Sequence, residues 1–251
     1  MNASLITAIR VAVEPQIAYL SNFEKALLTW ADQTHESEVV VVDYGSAPEF
    51  AARVEQACVD VGARYLFVPS HLAVEWSRSR ALNFGIKRCV GERCLFVDAD
   101  SLLPREYVAA HLRTAGDEVV SFSVVRRLAT ADACTYDEAV AADGVLVDAG
   151  WSHCCIGTQW LRDVRGFHEG FRLWGKEDDE LLHRVMMGGK RLVHVGGVVP
   201  MHLAHAKMQD WGPSHEEARH VRATFVRNEE LFVETLTQKR LVAPNEPWGE
   251  G

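Results

Sequence analysis

Four consecutive carboxylates, Glu177-Asp178-Asp179-Glu180, follow Trp174-Gly175-Lys176 at the start of an apolar helical run. Like charges packed this closely raise one another's pKa unless a metal, a cationic substrate or a proton offsets them. The dipole of a helix favours acids in its first turn by about 0.3–1 kcal/mol each. That accounts for one or two of the four and leaves a carboxylate free to act as general base on a hydroxyl. A second acidic pair, Asp98-Ala99-Asp100, ends the apolar run Leu95-Phe96-Val97. Alternate side chains of an extended segment share a face, so both carboxylates can point into one pocket. Two converging oxygens suit a hard cation, Mn²⁺ or Mg²⁺, which can bridge to a diphosphate. Taken alone, a D-x-D is more often an acidic turn, and its place at a strand end is what raises its weight. His202 and His205, in Pro200-Met201-His202-Leu203-Ala204-His205, could complete a metal shell, or one could be a packed and the other a surface histidine. Together the acids and imidazoles suggest metal-assisted chemistry on a phosphorylated substrate.

The elements that must position these residues read as an α/β fold. Leu5 to Ile9 reads as a strand and Ile17 to Trp30 as a helix, with apolar residues at Ile17, Leu20, Phe23 and Leu27. The four valines Val39 to Val42 suit a strand buried on both faces of a parallel sheet. Phe50 to Val61 (helix), Tyr65 to Val68 (strand), Ser79 to Arg88 (helix) and Cys94 to Val97 (strand) continue the alternation. Such repeats predict a mostly parallel central sheet flanked by helices. Ligands of these sheets collect beyond the carboxyl ends of the strands, where Asp43 and Asp98 both fall.

The second half is less regular. Val119 to Val125 reads as a strand, Ala129 to Asp143 as a loop and Val145 to Val147 as a short edge strand. Gly157 to Val164 and Glu180 to Met187 read as helices, the latter stopped by Gly188-Gly189. Arg191 to Val195 is a strand and Glu216 to Thr235 a helix. One domain over 1–235 is expected, with a nucleotide-binding half to about 118, an acceptor half over about 119–210, and a mobile tail over 236–251.

Composition narrows the function. A net charge of −9 argues against a nucleic-acid or anionic-membrane surface. No apolar run is long enough to span a membrane, and the N-terminus lacks a signal pattern. The six cysteines include no C-x-x-C pair, and several sit in apolar runs, where they read as reduced, buried thiols of a cytoplasmic protein. Trp151, Trp160 and Trp211 read as packing residues, and His153-Cys154-Cys155 as buried structure.

The segments Ser4-Leu5-Ile6-Thr7-Ala8-Ile9-Arg10, Val41-Val42-Asp43-Tyr44-Gly45-Ser46, Arg78-Ser79-Arg80-Ala81-Leu82-Asn83-Phe84-Gly85, Phe96-Val97-Asp98-Ala99-Asp100, Arg165-Gly166-Phe167-His168-Glu169 and Trp174-Gly175-Lys176-Glu177-Asp178-Asp179 occur in this order. Their order resembles the inverting, metal-dependent, family-2-like glycosyltransferases of the GT-A fold. The last segment is the specific one, similar to the W-G-x-E-D-D signature of the β-1,4-galactosyltransferase and polysaccharide-synthase group. The resemblance covers residues 4 to 205.

That resemblance implies a UDP-sugar donor, a divalent Mn²⁺ or Mg²⁺, and a glycan or small-molecule hydroxyl acceptor. Asp43 would hold the uracil, with Thr7, Ile9 and Arg10 lining the nucleotide pocket. Arg78 or Arg80 would lie near the nucleotide phosphates and Asn83 would brace the loop. Asp98 would face the ribose or sugar, and Ala99, Trp174 and Gly175 would complete the donor site. Asp100 and His205 would bind the metal, with His202 where relatives carry methionine. Glu177 and Asp178 would contact sugar and acceptor, Asp178 being the base. His168 and Lys176 depart from the family pattern beside the acceptor. Residues 206–215, with Trp211, are a lid candidate. A retaining transferase, a nucleotide-sugar hydrolase and a non-catalytic nucleotide-sugar binder are the alternatives.

Overall fold

A computed structural model describes residues 2–13, 16–69, 71–73, 75–147, 151–205 and 215–250, the side chains of 215–218 excepted. The lid candidate, apart from His215, and Trp211 lie outside the described residues.

Strand β1 (Ala3–Ile9) is buried along its whole length in the interior of a seven-stranded sheet. Helix α1 (Ile17–Ala31) leads to β2 (Glu38–Tyr44), α2 (Pro48–Val61), β3 (Arg64–Val68), α3 (Arg78–Arg88) and β4 (Arg93–Phe96). Next come β5 (Ser101–Leu102), α4 (Tyr107–Thr114), β6 (Val119–Phe122), β7 (Val125–Leu128), α5 (Tyr136–Ala141) and β8 (Gly144–Val147). The chain continues through β9 (Cys154–Gly157), α6 (Thr158–Asp163), α7 (Glu177–Met187), β10 (Arg191–His194), β11 (Met201–His202) and α8 (His215–Gln238).

The large sheet has the order β10-β6-β9-β4-β1-β2-β3. Its pairs are parallel except those of β9, which runs antiparallel to both β4 and β6. This is the mostly parallel α/β architecture that the alternating runs predict. The valine run of β2 is buried on both faces, Val39 and Val41 in one core cluster and Val40 and Val42 in the other. Each such side chain contributes about 1.5–3 kcal/mol through burial. Helix α1 turns Leu20, Phe23, Leu27 and Trp30 to the first of these clusters. Helix α2 begins at a proline and ends at Gly62 in the left-handed region, φ 71°.

The second half departs from the expectations: the single strand expected over Val119 to Val125 divides into β6 and β7 in different sheets, and Cys154–Gly157 forms an unexpected strand, β9. Residues 136–141, expected to loop, form α5, because Thr135 and Glu138 make a reciprocal capping box. A separate four-stranded sheet, β5-β11-β7-β8, stands beside the large one, with the expected edge strand as its β8. Two of its strands are two residues long, too short to show any periodicity. Their antiparallel pairing sets Met201 against Leu102 and His202 against Ser101. That register carries the His202 segment to the D-x-D.

The sequence suggests a free tail beyond residue 235, but α8 runs to Gln238 and the following residues dock. Asn245 Nδ2 donates to the carbonyls of Arg165 and Phe167 at 2.9 and 2.7 Å, and Ala243 is buried. The Arg165 carbonyl and a second acceptor site on the Phe167 carbonyl, which also accepts from Asn83, give this segment its docking site.

Candidate active site

Val97 continues the line of β4, its N–H donating to Ile6 O, and Asp98 to Asp100 turn off the sheet edge. Ser101 N donates to Asp98 O at 3.1 Å and Leu203 N to Asp100 O at 3.0 Å. These bonds fix the D-x-D backbone between the two sheets. Ala99 is buried in the core, so the pair diverges into two environments.

Asp100 is 1% exposed and faces both imidazoles, with His202 Nε2 3.3 Å from Oδ1 and His205 Nε2 3.1 Å from Oδ2. One ligand atom from each of Asp100, His202 and His205 lies within 4.8 Å of the others. His202 Nδ1 is 3.0 Å from Leu203 O, a contact in which Nδ1 carries the proton and donates, and Nε2 is the ring nitrogen that faces Asp100. The buried Oδ2 of Asp100 accepts no well-formed hydrogen bond. One carboxylate and two imidazoles therefore converge, and a divalent cation fits that donor set. Tyr19 of α1 packs edge-on against His205, ring centres 5.4 Å apart. Burial pushes the Asp100 pKa up, against the opposing pull of the two histidines.

Asp98 faces the other way. Ser152 Oγ donates to its Oδ2 at 3.0 Å, and Arg78 Nη2 lies 3.4 Å from Oδ1. His153 is wholly buried with Nδ1 3.9 Å from Oδ2. Burial raises the Asp98 pKa, but His153, Arg78 and His202 outweigh it and hold it down to about 2. Burial lowers His153 itself to about 4, so near neutral pH that ring is uncharged while Arg78 remains beside Asp98 as a cation.

Arg78 also pairs with Asp178, Nη1 to Oδ1 at 2.5 Å. It stands on the first turn of α3, which Ser77 caps by accepting from Arg80 N. One guanidinium thus lies between the acid after β4 and the acid that opens α7. Burial pushes Asp178 well above the usual carboxylate range; Arg78 opposes this and Glu177 adds to it. Glu177 is 6% exposed and is also raised by burial.

The four acids of α7 have divided partners. Asp178 meets Arg78, and Glu177 lies within the electrostatic reach of the same group. Asp179 pairs with Lys176 at 3.2 Å. Glu180 forms a bidentate pair with Arg184, which donates to Val164 O and Gly166 O. That buried pair ties α7 to the turn at 164–166. Gly166 sits at φ 59°, where a Cβ would come 2.1 Å from Asn83 Oδ1, so only glycine fits there. Asn83 clasps the turn from α3, accepting from Phe167 N and donating to Phe167 O and Glu169 Oε1.

Trp174 is 57% exposed, which excludes a core role, and stacks on Phe225 of α8 with ring centres 5.3 Å apart. Gly175, φ 102°, has Phe225 where a side chain would stand, at 2.8 Å. Asn228 of α8 donates to the carbonyls of Arg172 and Trp174. Helix α8 therefore holds the Trp-Gly turn in front of α7.

At the carboxyl end of β2, Asp43 is wholly buried. Its Oδ1 accepts from Ser46 N and its Oδ2 from Tyr65 Oη, both at 2.9 Å. Burial raises its pKa against those bonds and Arg10. Thr7 and Ile9 are wholly buried, Thr7 Oγ1 donating to Val97 O at 2.9 Å, so Arg10 is the partly exposed member of its segment. Arg80 points to Glu169 at 4.0 Å and to Tyr44.

Sequence reasoning missed Ser152, Tyr19, Tyr65, Phe225 and Asn228, and read His153 only as buried. None belongs to a charged cluster, and each gains its place through contacts between segments far apart in the chain.

The profile of glycosyl transferase family 2 matches residues 19–171. A second profile, described as the N-terminal domain of galactosyltransferase, matches residues 154–208. No curated protein sequence matches the chain. Among solved structures, S. aureus TarS 1–349 is 16% identical with a TM-score of 0.58, over 94% of this chain and 71% of that one. GalNAc-T7 with UDP, GalNAc and Mn²⁺ is 12% identical with a TM-score of 0.65, over 94% of this chain and 48% of that one. Mannosyltransferase PcManGT from Pyrobaculum calidifontis, in complex with GDP-Man and Mn²⁺, is 19% identical with a TM-score of 0.58, over 88% and 60%. This chain therefore spans about half to seven tenths of their lengths. Likenesses at these identities show a shared fold, the GT-A architecture.

Proposed function

The chain belongs to glycosyl transferase family 2, and on that premise we propose that it moves a hexosyl or N-acetylhexosaminyl group from a UDP-sugar to an acceptor hydroxyl with inversion. The observation that carries this reading is the placement of Arg78 between Asp98 and Asp178. Two carboxylates from different elements meet one guanidinium, one beside the candidate metal ligands and one at the head of α7. A donor seated against the first presents its anomeric carbon to an acceptor held at the second.

Asp178 takes the proton of the acceptor hydroxyl as that oxygen attacks the anomeric carbon. The bond from that carbon to the diphosphate oxygen breaks on the opposite face, and UDP leaves with the bonding pair. Asp100, His202 and His205 would hold the divalent ion, Mn²⁺ or Mg²⁺, which when bound offsets charge on the departing diphosphate. Arg78, released from Asp178 by the entering donor, supplies a fixed cation on the same side. Arg10 is the accessible group for the uracil end, with buried Asp43 as its countercharge, and Trp174 offers an exposed aromatic face to a sugar. Fixing donor and acceptor in one cleft supplies a further large part of the rate.

The supporting comparisons are TarS, whose structures include complexes with UDP and UDP-GlcNAc, and GalNAc-T7 with UDP and Mn²⁺. PcManGT holds GDP-Man, so the nucleotide needs its own test. Melting temperatures with UDP, GDP, CMP or TDP, each with Mn²⁺, Mg²⁺ or EDTA, supply it. A ligand that binds only the folded chain at 100 times its Kd stabilises it by about 2.7 kcal/mol. A shift that needs both UDP and a metal supports the reading, and UDP release from a UDP-sugar panel with acceptors then names the sugar. A shift with GDP alone moves the donor to GDP-sugars. Binding without turnover across the panel makes the chain a nucleotide-sugar binder.

A further inference from the structure

We infer that Cys89 and Cys94 are an oxidisable dithiol, which a hydroperoxide closes to an intramolecular disulfide. The site is independent of the transfer reading. Cys89 is the residue that ends α3, and Cys94 is the second residue of β4. Their sulfurs lie 3.6 Å apart, already in contact, and a disulfide needs about 2.0 Å. Both thiols are free in the structure.

The surroundings differentiate the two sulfurs. Arg162 of α6 donates to the carbonyls of Ile86 and Cys89 and brings Nη2 to 4.0 Å from Cys89 Sγ. Thr158 Oγ1 donates to Gly91 O and lies 3.3 Å from Cys94 Sγ. The hydrogen bond from Cys94 is the main influence that lowers the Cys89 pKa, to about 7, against burial and with help from Arg162. Burial raises Cys94 well above the usual thiol range. One sulfur is therefore the nucleophile and the other holds its proton until needed. Access comes from the turn between them. Val90 is 75% exposed and Glu92 is exposed, so fraying of the α3 C-terminus uncovers Cys89 to a molecule as small as hydrogen peroxide.

The chemistry balances without any other reactant. Cys89 ionises and its thiolate attacks one peroxide oxygen, the O–O bond breaks, and the leaving hydroxide takes up the proton released on that ionisation to form water. The product is a sulfenic acid on Cys89. The Cys94 sulfur then attacks the Cys89 sulfur, the S–O bond breaks, and the hydroxyl leaves with the Cys94 proton as a second water. Two thiols give up two electrons, and one peroxide receives them. The bond ties the end of α3, the helix of Arg78, to the strand that leads into Asp98.

The test treats the folded chain with hydrogen peroxide, alkylates free thiols, and maps peptides by mass. The expected result is loss of two of the six thiols, with a 2 Da decrease on the peptide pair that carries Cys89 and Cys94, reversed by dithiothreitol. Cys89→Ser and Cys94→Ser each abolish that loss. Cys94→Ser, which keeps the nucleophile, instead accumulates a dimedone adduct at residue 89. Melting curves of both variants in the reduced state establish that they are folded, and Cys89→Ala and Cys94→Ala replace any that is not. Exposed Cys134 is the internal reference for peroxide reactivity. Oxidation of Cys134 with residues 89 and 94 fully alkylated overturns the proposal. So does a 2 Da loss that maps to Cys154 and Cys155.

Discussion

Asp178 combines a raised pKa with a close cation, and the two make opposite demands. Burial and Glu177 favour its protonated form, while Arg78 favours the carboxylate. A base must be unprotonated to act, so kcat/KM should rise with pH through the raised Asp178 pKa. Asp178→Asn should lower kcat by about 10²–10⁴-fold and remove that limb, with nucleotide affinity unchanged. Wild-type turnover in this variant takes Asp178 out of the mechanism. Arg78→Ala removes the opposing cation, so the limb should move to higher pH in a pH–rate profile. The sign for stability is the reverse of that for rate. A carboxyl whose folded pKa is raised stabilises the fold while protonated, and the contribution is lost as pH rises through that pKa. His202 makes a separate demand. His202→Ala removes one of three converging ligands, so Mn²⁺ affinity measured by calorimetry without any donor should weaken, while Arg78 and Asp178 stay paired.

At the level of elements, the site depends on short contacts that hold the ends of long ones. The Glu180–Arg184 pair is buried at 3% and 1% side-chain exposure and satisfies two carbonyls of the turn at 164–166. Glu180→Ala leaves Arg184 charged and unpaired in that position, which should cost about 3–5 kcal/mol in a urea titration. Asn228→Ala leaves the carbonyls of Arg172 and Trp174 without their partner, for about 1–3 kcal/mol where those groups stay dry. Its further effect should be a higher KM, because the Trp174 turn loses its hold on α8. How much of this was legible follows from the same contrast. The βα repeats were visible because Val39 to Val42 and the Leu20, Phe23, Leu27 stripe carry their periods in the sequence. The D-x-D and the α7 acids were visible as charge out of place. The β5–β11 pairing was not, since two residues have no period and their register is set by a partner about 100 positions away. The capping box at Thr135 was legible as T-x-x-E and marked the helix that the mixed composition of 129–143 concealed. Asn228 looks like any polar residue of an exposed helix until the turn it satisfies is beside it.

Across the whole molecule, the core carries ionisable groups that make the fold sensitive to acid. His111 of α4 is wholly buried between Ser121 and Ser123, each 2.9 Å from a ring nitrogen. Ser121 Oγ donates to His111 O, so it accepts from Nδ1–H, and Nε2 accepts from Ser123. The neutral ring is thus fully bonded and joins α4 to β6. Burial lowers its pKa to about 3, and an unfolded histidine titrates near 6.5. Between those values the unfolded chain binds a proton that the folded chain refuses, so stability falls as pH falls. Above about 6.5 the contribution is fully present, and it is lost down to about 3 at up to roughly 1.4 kcal/mol per pH unit. The low pKa of Asp98, about 2, acts in the same direction at still lower pH. Wild-type comparison with His111→Gln separates the two, because glutamine keeps the shape of a polar bridge and cannot titrate. Urea midpoints at pH 7.5, 6, 5 and 4 should fall steeply in the wild type and less steeply in the variant, even where the variant starts lower at pH 7.5. Parallel slopes would mean that His111 already takes up its proton in the folded state, and that the α4–β6 contact is wetter than its burial indicates.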